Sequence, residues 1–458
     1  MQDLISASPS AAATLAQGLI ERLRQAWQNP DFQQRHRLRP TVFVRKRRLP
    51  FPVVFLLILQ QTTRSLQLHL HDFLAAWSQV TEPVTVTPGA LTRARAKLRP
   101  EAYGELNQAE LLPTVYGEAG QALVRRWHGH RVLGVDSSLL RLPPTTALAK
   151  TFGLVECGNE RGKSSVAYPE ARLSILFDVL NHLGWDAQLV PHTTAETSLA
   201  QDQHLRHVQP DDLLLNDRGY TGYLWLVLVR QVGAQVVGRC STGSFAAAQQ
   251  LFRDDQAGCS VRVTLQAPTE LRAHLKALKL PLTLAVRFVT LRLSTGELEV
   301  LVTTLLDEAR YPTAEFGALY HARWGHETYY GLLKGRLALE NWSGKTEVAI
   351  RQDVQAAVFL SNLESVLTRP AQAELELQTA TRQTEPVQVN HAVCLHALKT
   401  RLIALLAGSQ PAARVVCELQ RWFRANPVSC RPERKVPRKK TPAGQAYHYQ
   451  KNVRKTVF

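Results

Sequence analysis

At 458 residues the chain is too long for one ordinary core, and several domains are expected. Its 55 Lys and Arg outnumber 38 Asp and Glu, and the resulting net charge of +17 suits a polyanionic partner, nucleic acid foremost. The longest apolar run, FPVVFLLIL (Phe51 to Leu59), is far shorter than the ~20 residues a bilayer span requires, so a membrane protein is excluded and that run reads as a buried helix.

The start, MQDLISASPSAAATLAQ, has no positive segment ahead of an apolar stretch, so it is not read as a secretory signal and a cytoplasmic location is expected. Six cysteines without a C-x-x-C pair point to reduced thiols. Residues 1–125 read as an all-α N-terminal region with two basic clusters, RHRLRP and RKRRLP. In VTPGALTRARAKLRP, Thr87 is the expected N-cap and Pro88 the first helical residue. Arg93, Arg95 and Lys97 crowd that short helix, which reads either as a solvated basic face or as a DNA-contacting helix of helix-turn-helix type.

From about residue 130 the texture becomes α/β. RVLGVDSSLLRL is a strand bearing Asp136; ARLSILFDVL and WDAQLVP are strands joined by the turn-like NHLG. A polar helical stretch, AETSLAQDQHLRHV, follows. DDLLLNDRGY is a strand ending at Asp217, TGYLWLVLVRQVG a helix and AQVVGRC a strand. This is the element order of a ribonuclease H-like core, a mixed sheet here interrupted by a β-rich insertion over residues 241–296. The expected division is 1–125 helical and DNA-binding, 126–370 catalytic, and 371–458 helical with a basic tail, RPERKVPRKK.

Asp136 and Asp217 each sit where an apolar strand gives way to polar residues, which in an open α/β sheet opens onto a shared crevice. Taken singly, such an aspartate is more often a turn former. With Glu327 there are three carboxylates, and their convergence requires divalent cations; hard oxygen donors select Mg²⁺ or Mn²⁺. Two such ions suit in-line phosphoryl displacement on DNA.

YHARWGHETYYGLLK carries Tyr320, Arg323, Glu327 and Lys334. Read as one helix at about 100° per residue, all four fall within about 60° of one another. A nucleic-acid strand fits along such a row, since cations flank the carboxylate and hold phosphate oxygens. The plainer reading is an exposed helix face with spaced charges.

The quartet resembles the signature of the DDE transposases of the insertion-sequence-four family. GVDSS around Asp136 and NDRGY around Asp217 resemble its two aspartate motifs, and LENWSGKT the stretch after its catalytic helix. VTPGALTRARAKL and the basic tail are similar to its members as well. The resemblance implies a metal-binding triad of Asp136, Asp217 and Glu327, with Tyr320, Arg323 and Lys334 holding the DNA end by its backbone. It implies cut-and-paste transposition at inverted-repeat ends into target DNA by a homodimer. Val300 stands where hairpin-forming relatives place a tryptophan, and His326 where an apolar residue is common; the histidine reads as a core residue. A related nuclease without strand transfer, or an inactive DNA-binding remnant, remains the alternative.

Overall fold

The computed structural model describes residues 8–45, 47–61, 65–78, 85–158, 165–382 and 385–430. The basic tail RPERKVPRKK lies outside them. Up to residue 121 every regular element among the described residues is helical, from Pro9–Gln28 to Glu118–Gln121. FPVVFLLIL forms the helix Phe51–Leu59, in which every residue but Pro52 is buried. The proline costs nothing there, because the first turn of a helix has no intrahelical partner for the missing N–H. The helix Pro88–Arg95 begins as expected, with the Thr87 side chain accepting from the Ala90 N–H at 3.2 Å.

The sheet has nine strands: β1 (Val132–Arg141), β2 (Leu154–Gly158), β3 (Ser165–Asp178), β4 (Leu183–Pro191), β5 (Leu213–Asn216), β6 (Gln235–Arg239), β7 (Ser260–Gln266), β8 (Thr283–Arg292) and β9 (Leu298–Thr303). β4 pairs β3 and β3 pairs β1, both antiparallel; β1 pairs β5 and β5 pairs β6, both parallel. Three antiparallel strands followed by two parallel ones make the ribonuclease H-like sheet. β9, β8 and β7 extend it antiparallel beyond β6, so the strands of the 241–296 stretch continue this sheet instead of forming one of their own. β5 is buried at all four positions, as a parallel strand covered on both faces must be.

The 36-residue helix Glu347–Arg382 ties the halves together. Its Asn362 accepts from the Gly184 N–H at 2.7 Å and donates to the Gly184 carbonyl at 2.7 Å, which fixes the helix against β4. A buried amide with its partners in place specifies one register, where an apolar residue would allow sliding. The N-terminal helix Pro9–Gln28 packs against the same long helix, and residue 370, the expected boundary, falls inside it. Among the described residues no helix is long and apolar enough to cross a membrane.

Candidate active site

β1 and β5 run parallel with Gly134 opposite Leu215. Two residues further along stand Asp136, still within β1, and Asp217, one residue past the end of β5, near enough for Asp217 to add to the negative field at Asp136. Asp136 was expected at a strand end, yet β1 continues to Arg141. Its pairing with β3 runs on through Arg141↔Glu170, while β5 stops at Asn216. The crevice therefore opens on the β5 edge of β1 alone. Asp217 caps the turn that follows, its carboxylate accepting from the Arg218 N–H at 2.8 Å.

The quartet does not lie on one regular helix. Phe316–His321 ends before Arg323, the helix resumes as Trp324–Gly331, and Leu332–Arg336 is a π-turn. The single-helix angles thus hold only approximately, because the regular helix is interrupted at Ala322 and Arg323 and widens to a π-turn after Gly331. Tyr320 is buried and its hydroxyl donates to the Asn216 carbonyl at 3.2 Å, bracing the strand end that precedes Asp217. Arg323 donates to Glu327 Oε1 at 3.3 Å. Lys334 Nζ donates to the Leu139 carbonyl of β1 at 2.6 Å. Tyr330 anchors the same helix, its hydroxyl 2.9 Å from the Asp136 carbonyl. His326 is a core residue as expected: 1% exposed, packed against Phe177 and Tyr330, and pushed down to about 3 by burial and then by Arg323, so it is neutral. Val300, also fully buried, lies in β9.

The electrostatics at Asp136 are those of an uncompensated anion. Burial pushes its carboxyl up to about 6; the Ser137 N–H and Arg323 oppose the rise, and Glu196 and Asp217 add to it. At Arg323 burial works against the charge, but Tyr320, Asp217 and Glu327 together hold the guanidinium above its ordinary pKa. The donor set of hard carboxylate oxygens fits a hard divalent cation. Burial, with Glu196 and Asp136, keeps the proton on the Tyr220 hydroxyl, which has no hydrogen-bond partner among the described residues. The third carboxylate, Glu327, is turned toward Arg323. Among the described residues no three or more His, Cys, Asp or Glu side chains are gathered so as to hold an ion.

The N-terminal cations divide. Arg93 is exposed and Lys97 half-buried. They line a groove of about 720 Å³ together with Arg45, Arg47 and Arg48 from the second basic cluster. Arg48 donates to the Thr85 carbonyl at 2.7 Å, which joins the two segments. Arg95 departs from the expected DNA contact. It is 3% exposed, and its guanidinium is committed to Asp353 (2.8 Å), Gln352 (2.9 Å) and Ser343 (2.6 Å). On a short helix packed on one side, Arg93 and Arg95 point to opposite faces.

The sequence reading did not single out Ser137, Arg172, Glu196 or Tyr220. Arg172 and Glu196 come to Asp136 from β3 and from the helix after β4, and only the three-dimensional fold brings them there. Tyr220, three residues after Asp217, lay within the NDRGY motif already noted.

A family model described as "Transposase DDE domain" matches residues 127–363, more than half of the chain. No curated protein matches the sequence. Among solved structures, a piggyBac transposase synaptic complex with hairpin DNA is similar over 94% of this chain and 83% of that chain, at 10% identity and a TM-score of 0.39.

Proposed function

The chain belongs to the transposase DDE domain family, and from that premise we propose that it is a cut-and-paste transposase of the insertion-sequence-four type. In this reading it cleaves the inverted-repeat ends of its element and joins them to target DNA. The observation that carries the reading is the approach of Asp217, just past the end of β5, to Asp136 on the neighbouring parallel strand β1, with Arg323 and Glu327 in the same electrostatic cluster.

Asp136, Asp217 and Glu327 would hold two divalent ions, Mg²⁺ or Mn²⁺. Bound there, such ions would supply Lewis-acid chemistry suited to activating a water or 3′-hydroxyl and to stabilising the departing oxygen of the displacement. Arg323 keeps Glu327 in place until DNA arrives, and a phosphate entering between them offers the guanidinium a second anion. Lys334 stands at the β1 side of the same path and supplies a cation to the strand backbone. Tyr320 acts through β5, holding the strand end that presents Asp217. Arg93 and Lys97, with the arginines of their groove, contact the outer DNA of the element end. A homodimer pairing both ends completes the reaction.

The test is cleavage of element-end DNA in Mg²⁺ by Asp136→Asn, Asp217→Asn and Glu327→Gln. Each is expected to abolish cleavage while DNA binding persists. Full cleavage by any one of them removes that residue from the triad, and cleavage by the parent protein without joining of the 3′-hydroxyl end makes the protein a nuclease.

A further inference from the structure

A fourth carboxylate stands beside Asp136. Glu196 opens the short helix Glu196–Leu199, and its Oε1 accepts from Ser137 Oγ at 2.6 Å. Arg172 of β3 is ion-paired to the same Oε1 and donates to Ser137 Oγ at 2.7 Å. A third contact, from Arg172 Nη2 to the His192 carbonyl at 3.2 Å, fixes the guanidinium. The Ser137 N–H in turn donates to Asp136 Oδ1 at 2.8 Å. Glu196 thus reaches Asp136 through one residue whose side chain and backbone are both engaged.

Stability does not account for this arrangement. The Glu196 side chain is 39% exposed, and an ion pair so open to water contributes little to folding. Its placement is what is informative. Glu196 strengthens the negative field at Asp136, and that field reaches the hydroxyl of Tyr220, a residue 2% exposed whose hydroxyl has no hydrogen-bond partner among the described residues. A buried donor left open next to two carboxylates points to a ligand oxygen at this spot, not to a purely internal salt bridge.

We propose that Glu196 is a positioning residue of the active site. With Arg172 it fixes Ser137; Ser137 fixes the carboxylate of Asp136; and the added negative charge strengthens divalent-ion binding there. The proposal rests on the reading that Asp136 holds an ion. Partners one step behind a metal ligand typically change affinity by about 10- to 100-fold when removed.

The experiment is direct Mn²⁺ titration of the full chain, followed by the electron paramagnetic resonance of the free ion, a readout independent of activity. Asp136→Asn is expected to remove the tightest site. Glu196→Gln keeps an acceptor for Ser137 but removes the charge, and Ser137→Ala cuts the side-chain link while leaving the charge. Each is expected to weaken Mn²⁺ binding by about tenfold with an unchanged unfolding midpoint. Parent affinity in both variants overturns the role of Glu196. Parent affinity in Asp136→Asn overturns the reading of Asp136 instead, and a parent protein that binds no Mn²⁺ overturns both.

Discussion

His326 Nδ1 lies 2.9 Å from the point that a Cβ on Gly134 would occupy. Only hydrogen at residue 134 lets the helix Trp324–Gly331 press this closely on β1, two residues before Asp136 and one before Glu327. The glycine therefore sets the separation between the two halves of the site. Gly134→Ala is expected to destabilise the fold by about 1–3 kcal/mol, the usual cost of overpacking, and to reduce cleavage more than DNA binding. Denaturant unfolding measures the first and end cleavage the second. Combining it with His326→Ala should recover part of the loss, because the ring that the methyl meets is gone. Strictly additive losses would place the cause elsewhere.

Arg93 and Arg95 stand two residues apart and are expected to behave oppositely. Arg95 and Asp353 have side chains only 4% exposed each. Arg95→Ala leaves that carboxylate buried and unpaired, at a cost of about 3–5 kcal/mol. Arg93→Ala should leave stability unchanged and lower the slope of log affinity against log salt by about one, the signature of a lost phosphate contact. A normal unfolding midpoint for Arg95→Ala, or an unchanged salt slope for Arg93→Ala, contradicts the assignment concerned.

Tyr320 separates two roles for the first position of the quartet. Its hydroxyl donates inward to the Asn216 carbonyl. Tyr320→Phe should therefore leave affinity for element-end DNA unchanged, cost about 0.5–1.5 kcal/mol of stability, and slow cleavage through the loosened β5 end. A clear loss of DNA affinity at unchanged stability would return the hydroxyl to the phosphate backbone.

What was legible in the sequence followed from local rules. The Thr87–Pro88 helix start needs only its own first turn, and the apolar runs of β1, β3, β5 and β6 alternate with turn residues in a way that fixes element order. The approach of Asp136 and Asp217 was half legible: each aspartate sits at the polar end of an apolar run, but the register of two parallel strands separated by a long crossover is set by packing. The interruption at Arg323 and the π-turn were not legible, because Ala322 and Arg323 are good helix formers and nothing in the local sequence signals a break. Arg95 misled because charge is a property of the residue and burial a property of its partner, Asp353, far along the chain. Glu196 escaped notice for the same reason.

The protein's pH dependence should show two limbs from two histidine–carboxylate pairs. Glu364 is fully buried and its Oε1 lies 2.7 Å from His391 Nδ1. That hydrogen bond raises the His391 pKa, and burial opposes the rise only in part. With the folded value above the unfolded one of about 6.5, the stabilisation is complete below that pH and lost as pH climbs through the folded value. His391 is 44% exposed, so solvent keeps the effect modest. Asp186 has the opposite sign. Burial would raise its carboxyl, but the hydrogen bond from His204 at 2.8 Å and the charges of His204 and His207 hold it below the ordinary range. Its contribution is present above an unfolded value of about 3.9 and fades as pH falls through the folded one. Unfolding midpoints measured from about pH 2 to pH 9 are expected to fall at both ends, the acid decline setting in only below about pH 4. His391→Gln should flatten the alkaline limb and leave the acid limb in place, because the neutral amide no longer gains a proton on the acid side. If the alkaline decline survives that substitution in full, the Glu364–His391 pair is not its source.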